Sequence, residues 1–297
     1  MSDIYISLPS KESTKLYLEQ NFDGFIIGID GFSENFNNLV DIDELEDIIN
    51  SIENKKIFVS LNKLYFNNDI DKVKELIIKI KDFNITGICF SDIGVLNILN
   101  DLKYKGEIYW IGNHLGTNSN TINFLEKRGV SYALLSTEIT KEEIISIKKN
   151  TNIKIGTILY GFLNMATSSR KLLTNYFEYI DNSKKKDKYI IKDKIKNKDY
   201  FLVEKDNTNF FTNDVLNGIK FYPELIDNDI DFIFLDDYNL DNTNFYNIIE
   251  AFSSLRNAPD DEEFVSSLEK VVDSNTFYNT FYGFLDKKTV YKVEDYE

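Results

Sequence analysis

The hydrophobic residues of the chain fall into short apolar runs that are separated by longer stretches of mixed polarity. Each run is rich in β-branched or aromatic residues and is apolar at consecutive positions, which is typical of parallel strands covered on both faces. The pattern predicts strands at Ile4–Leu8, Gly24–Ile29, Ile57–Leu61, Gly87–Phe90, Ile108–Ile111, Tyr132–Leu135, Ile153–Leu159 and Phe232–Leu235.

Amphipathic stretches lie between these runs. In Asp71–Ile80 the apolar residues recur with the spacing of one helical face, and lysine and glutamate occupy other positions. Thr140 and Glu143 form a capping-box pattern at the start of another predicted helix, Lys141–Lys148. The same periodicity occurs in Asp43–Ile52, Val95–Leu102 and Thr121–Lys127. The chain therefore alternates strands with helices.

This alternation predicts an α/β protein with a (β/α)8 TIM-barrel-like fold. An open, doubly wound sheet is the alternative, because alternation does not by itself show that the sheet closes. The glycine-rich turn of a dinucleotide-binding fold is missing after the first strand, where Leu8-Pro9-Ser10-Lys11 stands instead. A dinucleotide-binding fold is therefore disfavoured.

Two segments depart from the regular spacing. Residues 178–212 contain two strand-like runs, Tyr189–Asp193 and Asp199–Val203, and we interpret them as a small β-hairpin insertion after strand seven. The barrel-like domain then covers residues 1–258. Residues 259–297 form a C-terminal extension that is acidic and then aromatic, and we expect it to pack on the barrel or on a partner.

Charge restricts the range of partners. Lys and Arg total 34 against 49 Asp and Glu, which gives a formal net charge of −15 and an isoelectric point near 4.7. Such a surface repels phosphate backbones and disfavours broad nucleic-acid binding. The clearest positive cluster is Lys184-Lys185-Lys186 with Lys188, and a solvated loop is its alternative interpretation.

Cysteine content and hydropathy exclude several classes of site. The single cysteine, Cys89, lies in an apolar run, so we expect a buried structural thiol and no metal site built from cysteines. The start of the chain lacks the basic and apolar regions of a signal peptide, and no apolar run is long enough to span a bilayer. We therefore expect a cytoplasmic protein without membrane contact.

The segment Tyr160–Phe177 follows the seventh predicted strand, turns small and polar from Asn164 to Ser169, and then carries Arg170. We interpret it as a ligand loop in which Ser168, Arg170 and Asn175 bind substrate, because a guanidinium can bind a carboxylate or phosphate with two hydrogen bonds. An ion pair between Arg170 and a surface acid is the alternative. No histidine or lysine arrangement around Ser168 indicates a nucleophile.

Polar residues also follow other predicted strands, whose carboxyl ends meet at one rim of a barrel. Asn62, Asp92 and Asn118 are predicted to bind substrate, and helix capping is their alternative role. The further polar residues at these ends are Ser91, Asn113, His114, Ser136, Glu138, Asp236 and Asp237.

Three of the rim residues are predicted to be catalytic: His114, Glu138 and Asp236. His114 is the only histidine, so it suits a general base better than a metal site. Asp236 and Asp237 are adjacent and point in opposite directions, so at most one of them faces the pocket.

Short motifs, taken in their order along the chain, carry a family resemblance. They are Asn21–Gly28 with Phe32-Ser33, Phe58–Asn62, Ser91–Leu96, Asn118-Ser119, Gly129-Val130, Leu135–Ile139, Tyr189–Asp193, Gly283–Leu285 and Lys288–Lys292. Together they resemble peptidase family U32, the collagenase-like peptidases, in its short and cysteine-poor branch. The resemblance implies a barrel, a historical label of protease, and roles in oxygen-inserting modification of RNA or ubiquinone.

In the longer branch of this family, the equivalent of Tyr160–Phe177 supplies cysteine ligands to an iron–sulfur cluster. Alignment on Gly161 and Arg170 places those cysteines at Asn164 and Lys171, and places a family histidine at Tyr160. Neither asparagine nor lysine replaces a thiolate in such a cluster. The resemblance therefore implies that this chain carries no cofactor of its own.

The function that the resemblance implies is RNA modification, namely 5-hydroxylation of a tRNA wobble uridine. The chain would act in a heteromer with a longer, cluster-bearing paralogue and would reach tRNA only through that complex. Two alternatives stay open. One is a peptidase or other hydrolase of unknown mechanism, although no H-E-x-x-H motif is present. The other is a non-catalytic barrel whose Arg170 pocket binds a small anion.

Overall fold

The computed structural model describes residues 2–10, 14–195, 198–240, 244–256 and 261–288. In these ranges the strands are β1 (Asp3–Ser7), β2 (Gly24–Ile29), β3 (Leu39–Val40), β4 (Lys56–Leu61), β5 (Gly87–Phe90), β6 (Glu107–Ile111), β7 (Tyr132–Leu134), β8 (Lys154–Ser168), β9 (Lys188–Asp193), β10 (Lys198–Glu204), β11 (Thr208–Asn217), β12 (Phe232–Leu235) and β13 (Thr280–Phe281). The helices are α1 (Thr14–Leu18), α2 (Leu45–Ser51), α3 (Ile70–Ile80), α4 (Ile93–Asp101), α5 (Ser119–Glu126), α6 (Lys141–Lys149), α7 (Leu172–Tyr179), α8 (Tyr222–Asp227), α9 (Phe245–Leu255) and α10 (Glu262–Ser274).

The parallel strands close into a barrel. β1 pairs with β2 and β2 with β4, and parallel pairing then continues in order through β5, β6 and β7 to β8. β12 pairs in parallel with both β8 and β1, so the last strand joins the first. This closure confirms the predicted (β/α)8 fold and excludes the open sheet.

Aromatic side chains fill the interior of the barrel. Tyr5, Phe58, Tyr109, Tyr132 and Phe232 are buried, and the centroids of their contacting rings lie 5.2–5.8 Å apart. Inward-pointing residues of successive strands form such layers in small barrels. The single cysteine is buried in the same cluster, and burial raises the pKa of its thiol.

The helices bury the faces that their periodicity predicts. α3 buries Val73, Leu76, Ile77 and Ile80 against the strands. α6 begins with a complete capping box: the Thr140 hydroxyl accepts the Glu143 amide, and the Glu143 carboxylate accepts the Thr140 amide. A second hydrophobic layer, between the strands and the helices, surrounds the barrel.

β8 is longer than the sequence predicts. The prediction ended strand seven at Leu159 and assigned the small polar residues that follow to a loop, but the strand continues to Ser168. Beyond the barrel, β8 pairs antiparallel with β11, β11 with β10, and β10 with β9. We call this antiparallel part the side sheet. It is partly exposed, so its strands lack the continuous apolar run of a buried parallel strand.

The C-terminal segment packs on both the barrel and the side sheet. Tyr278 contacts Phe162 with ring centroids 4.9 Å apart, and Tyr282 contacts Phe221 at 5.6 Å. The predicted domain boundary at 258 and residues 289–297, including part of the last motif, lie outside the described residues. Within the described ranges, no helix has the length and apolar character needed to cross a membrane.

Candidate functional site

The carboxyl ends of the barrel strands bring His114 and Glu138 together. His114 follows β6 and Glu138 follows β7, and His114 Nδ1 lies 3.2 Å from Glu138 Oε1. Both side chains are partly exposed, and the Glu138 amide donates to Ser136 Oγ at 3.2 Å. A carboxylate beside Nδ1 orients the ring and leaves Nε2 to accept or donate a proton. The pair therefore has the geometry of a solvent-facing acid–base group.

Asp236 and Asp237 follow β12, and the fold raises the pKa of both. Burial, together with the nearby charge of Asp237, raises the pKa of Asp236 to about 8, although the amide of Tyr238 donates to Oδ1 at 3.0 Å. Burial also raises the pKa of Asp237 to about 6, although a hydrogen bond from Asn37 acts to lower it. A carboxyl group that stays protonated near neutral pH can act as a proton or hydrogen-bond donor.

A close approach of β8 produces part of this burial. Gly161 has a φ of +129°, and a Cβ on it would lie 2.5 Å from the carbonyl oxygen of Asp236. The Asp236 amide donates to the Tyr160 carbonyl at 2.9 Å. Glycine is the residue that tolerates both this backbone conformation and the contact. Gly161 therefore holds the end of β12 against β8.

A cavity of about 180 Å³ lies between the loop after β2, the β10–β11 turn and Tyr238. Glu34, from that loop, accepts hydrogen bonds from Asn207 and, at 3.3 Å, from Asn209. The polar residues lining the cavity are Asp30, Ser33, Glu34, Asn35, Lys205, Asp206, Asn207 and Asn209. Cavity volume and lining suit a small polar solute.

The residues at which the resemblance places the family's cluster cysteines and histidine make contacts within the chain itself. Asn164 Nδ2 donates to Asn209 Oδ1 at 3.1 Å, and the Lys171 ammonium donates to the Lys205 carbonyl. Tyr160 is buried, and its hydroxyl lies 3.0 Å from a threonine hydroxyl. Amide and ammonium groups do not ligate the irons of a cluster, and the chain's single thiol lies inside the barrel. These residues therefore do not fit an iron–sulfur cluster.

Three of the predicted substrate-binding residues hold local structure. Asp92 and Asn118 accept backbone amides of the first turns of α4 and α5, at 2.6 and 2.9 Å, and so cap these helices. Asn62 exchanges two hydrogen bonds with the backbone of Glu34, at 3.0 and 3.1 Å. Asn62 therefore positions Glu34, a residue that lines the cavity. For Asp92 and Asn118 the contacts are those of helix capping, the alternative role of these residues.

The other three lie at the end of β8, in the link after it and on α7. Ser168 Oγ accepts the amide of Arg170 at 3.2 Å, and the Arg170 carbonyl accepts the Thr208 hydroxyl at 2.8 Å. The Arg170 side chain is exposed and makes no ion pair with any described residue; Asn175 is exposed on α7. The expectation of a loop directly after strand seven is wrong, because strand pairing continues to Ser168. Substrate binding by these three residues stays a prediction.

Comparisons with known proteins agree with the motif order. The profile of peptidase family U32 matches residues 10–292. The tRNA hydroxylation protein P2 of Bacillus subtilis (strain 168) is 26% identical over 257 residues, which cover 80% of this chain and 82% of that protein. The tRNA hydroxylation protein P1 of the same organism is 21% identical over 181 residues, which cover 59% of this chain and 43% of that protein.

Among solved structures, the tryptophan synthase alpha subunit of Pyrococcus furiosus covers 92% of this chain and 96% of its own, with 12% identity and a TM-score of 0.45. A likeness of this size carries no conclusion about function.

Proposed function

The chain belongs to peptidase family U32, and from this premise we propose that it takes part in tRNA hydroxylation. The reaction is the 5-hydroxylation of a wobble uridine, performed together with a longer, cluster-bearing member of the family. The main support is the similarity to tRNA hydroxylation protein P2, which extends over most of both chains. In this proposal, the chain binds and positions reactants, and its partner supplies the redox step.

The contacts of the former ligand positions support this division of roles. Asn164 and Lys171 are hydrogen-bonded to the β10–β11 segment and leave no thiolate to bind iron. The rim keeps groups that can hold or move a proton, namely Asp236 and the His114–Glu138 pair. A peptidase role lacks comparable support, because no hydroxyl or thiol of a described residue is hydrogen-bonded to His114.

The test is a deletion of the gene in its host, followed by mass spectrometry of the tRNA nucleosides. We expect 5-hydroxyuridine and its derivatives to fall, and a plasmid copy of the gene to restore them. An Asp236→Asn copy should restore them poorly, whereas a copy with the exposed residue changed in Lys72→Gln should restore them fully. Unchanged nucleosides in the deletion strain would contradict the proposal.

The partner is tested separately by co-expression with the longer paralogue from the same genome. We expect the two chains to co-purify and to migrate as one heteromer in size-exclusion chromatography. If they separate completely at low salt, the chain does not act through a stable complex with that paralogue.

A further inference from the structure

One short part of the side sheet has a charge opposite to that of the rest of the chain. Residues 183–198 contain eight Lys and two Asp, whereas the remaining residues contain 26 Lys and Arg against 47 Asp and Glu. We call residues 183–198 the basic strip. It comprises the segment before β9, the edge strand β9 and the residues from there to the start of β10, of which 196 and 197 lie outside the described residues. Positive potential on this acidic protein is therefore concentrated here.

Five described lysines of the basic strip are available to a ligand. Lys185, Lys186, Lys192, Lys194 and Lys198 are exposed and form no ion pair with another described residue. Lysines on an edge strand also discourage pairing between sheets. That role does not account for Lys185 and Lys186, which precede the strand.

The basic strip is long enough to follow a nucleic-acid backbone. The strip runs antiparallel beside β10: Asp193 lies opposite Lys198, and Lys184, before β9, donates to the Glu204 carbonyl. Six residue steps of β10 separate Lys198 from Glu204, so the strip extends over about 20 Å. The opposite end of β10 leads into the turn that lines the cavity, through Lys205 and Asn207. A chain of phosphates bound along the strip would therefore run towards the cavity.

Exposed aromatic rings lie beside the lysines. Tyr176 and Tyr179 of α7 are 57% and 87% exposed. The next ring of α7, Phe177, packs on Tyr189 of β9 with centroids 4.9 Å apart. The Tyr189 hydroxyl accepts the amides of the two lysines before β9, at 2.9 and 3.2 Å. These contacts fix α7 and the basic strip as one surface.

We propose that this surface binds RNA, with the lysines of the basic strip contacting phosphates and Tyr176 and Tyr179 stacking on unpaired bases. The inference rests on the proposed function and deepens it. It gives this chain its own RNA contact, whereas the resemblance implied contact only through the partner. The acidic remainder of the surface repels the backbone and confines the RNA to the strip.

The test is fluorescence anisotropy of a labelled, synthetic anticodon stem–loop RNA, titrated with the full chain alone and in complex with the longer paralogue. The test variant combines Lys185→Gln, Lys186→Gln, Lys192→Gln and Lys194→Gln. We expect affinity to fall at least about tenfold near 0.1 M salt. Since each phosphate contact contributes about 0.7 to the salt slope of single strands, four contacts should make the slope shallower by about 3.

Two further variants separate specific contacts from net charge. The control changes the overall charge by the same amount at exposed lysines on other helices and should bind RNA within about twofold of the wild type. It combines Lys72→Gln, Lys74→Gln, Lys127→Gln and Lys149→Gln. Tyr179→Ala should weaken binding about fivefold or more and leave the salt slope unchanged, because stacking releases no counterions.

Several outcomes would overturn the proposal. They are a wild-type chain that does not bind the RNA at low salt in either form, unchanged affinity in the strip variant, and equal losses in the strip and control variants. If the strip variant bound RNA normally but no longer bound the longer paralogue, the basic strip would instead be a protein-docking surface. The titration needs no hydroxylation activity, so unchanged tRNA nucleosides in the deletion strain would refute the proposed function and leave strip-dependent binding intact.

Discussion

Glu204 joins α7 to the side sheet, and replacing it should loosen both. Its carboxylate is fully buried and accepts the amides of Leu173 and Thr174, at 2.6 and 3.1 Å. It also accepts the hydroxyls of Thr174 and Thr208, at 2.6 and 2.9 Å. Burial alone would raise its pKa, but these hydrogen bonds outweigh burial and hold the pKa below its ordinary value. The ionised carboxylate thus satisfies the free amides at the start of α7.

The substitution Glu204→Gln keeps the shape of the side chain but turns one acceptor oxygen into an NH2 group that faces other donors. Hydrogen bonds to a charged group contribute about 1.5–3 kcal/mol each, so we expect a loss of about 3 kcal/mol. Hydrogen exchange of the α7 and β10 amides, measured by mass spectrometry, should accelerate about a hundredfold. The control Glu46→Gln, an exposed acid in the first turn of α2, should cost within about 0.5 kcal/mol.

The effect should also depend on pH. Because the folded-state pKa of Glu204 is lowered, its contribution is present above the unfolded pKa of about 4.3 and is lost as pH falls through the folded pKa. The difference in free energy of unfolding between wild type and Glu204→Gln should therefore be largest above pH 5 and shrink below about pH 4. A difference under about 1 kcal/mol at pH 7, or one that stays constant to pH 3.5, would refute the reasoning.

Substitutions at Asp236, Gly161 and His114 give further tests. Asp236→Asn should gain stability over the wild type as pH rises from about 4 to 8, because a folded pKa raised to about 8 makes ionisation destabilising across that window; urea unfolding at several pH values measures it. Gly161→Ala should lower the free energy of unfolding by about 3 kcal/mol through its backbone clash, whereas Gly31→Ala, with positive φ but open space, should cost about 1 kcal/mol. His114→Ala should lower the free energy of unfolding by under about 1 kcal/mol, because its pair with Glu138 is exposed. If a plasmid copy with this substitution failed to restore the tRNA nucleosides, the failure would therefore indicate a functional role of His114 and not a loss of folding.

The barrel could be predicted from sequence because its signals are local. Each parallel strand is a continuous apolar run, and each helix, such as α3, carries its own periodicity. The extension of β8 could not be predicted in this way. Its last residues are small and polar, and the strand forms because β11, some forty residues later, provides an antiparallel partner. Pairing over that distance leaves no local pattern.

The candidate site likewise contains residues that a local sequence rule finds and residues that only long-range pairing brings in. The strand-end rule found His114 and Glu138 separately, and the structure brings them into contact. The same rule would have found Glu34, which follows β2. Asn207 and Asn209 reach Glu34 only because the side sheet folds over the rim, so no signal in the sequence placed them there.

The side sheet also connects the two proposed surfaces of the molecule. Asn164 binds Asn209, which in turn binds Glu34, so these contacts tie the side sheet to the loop over the barrel. Lys171 ties the start of α7 to the turn that lines the cavity. Because the sheet that these contacts hold also carries the basic strip, Asn164 and Lys171 fix the proposed RNA-binding surface relative to the cavity. The role that we propose for this chain, positioning RNA for a redox reaction on another protein, requires such a rigid link.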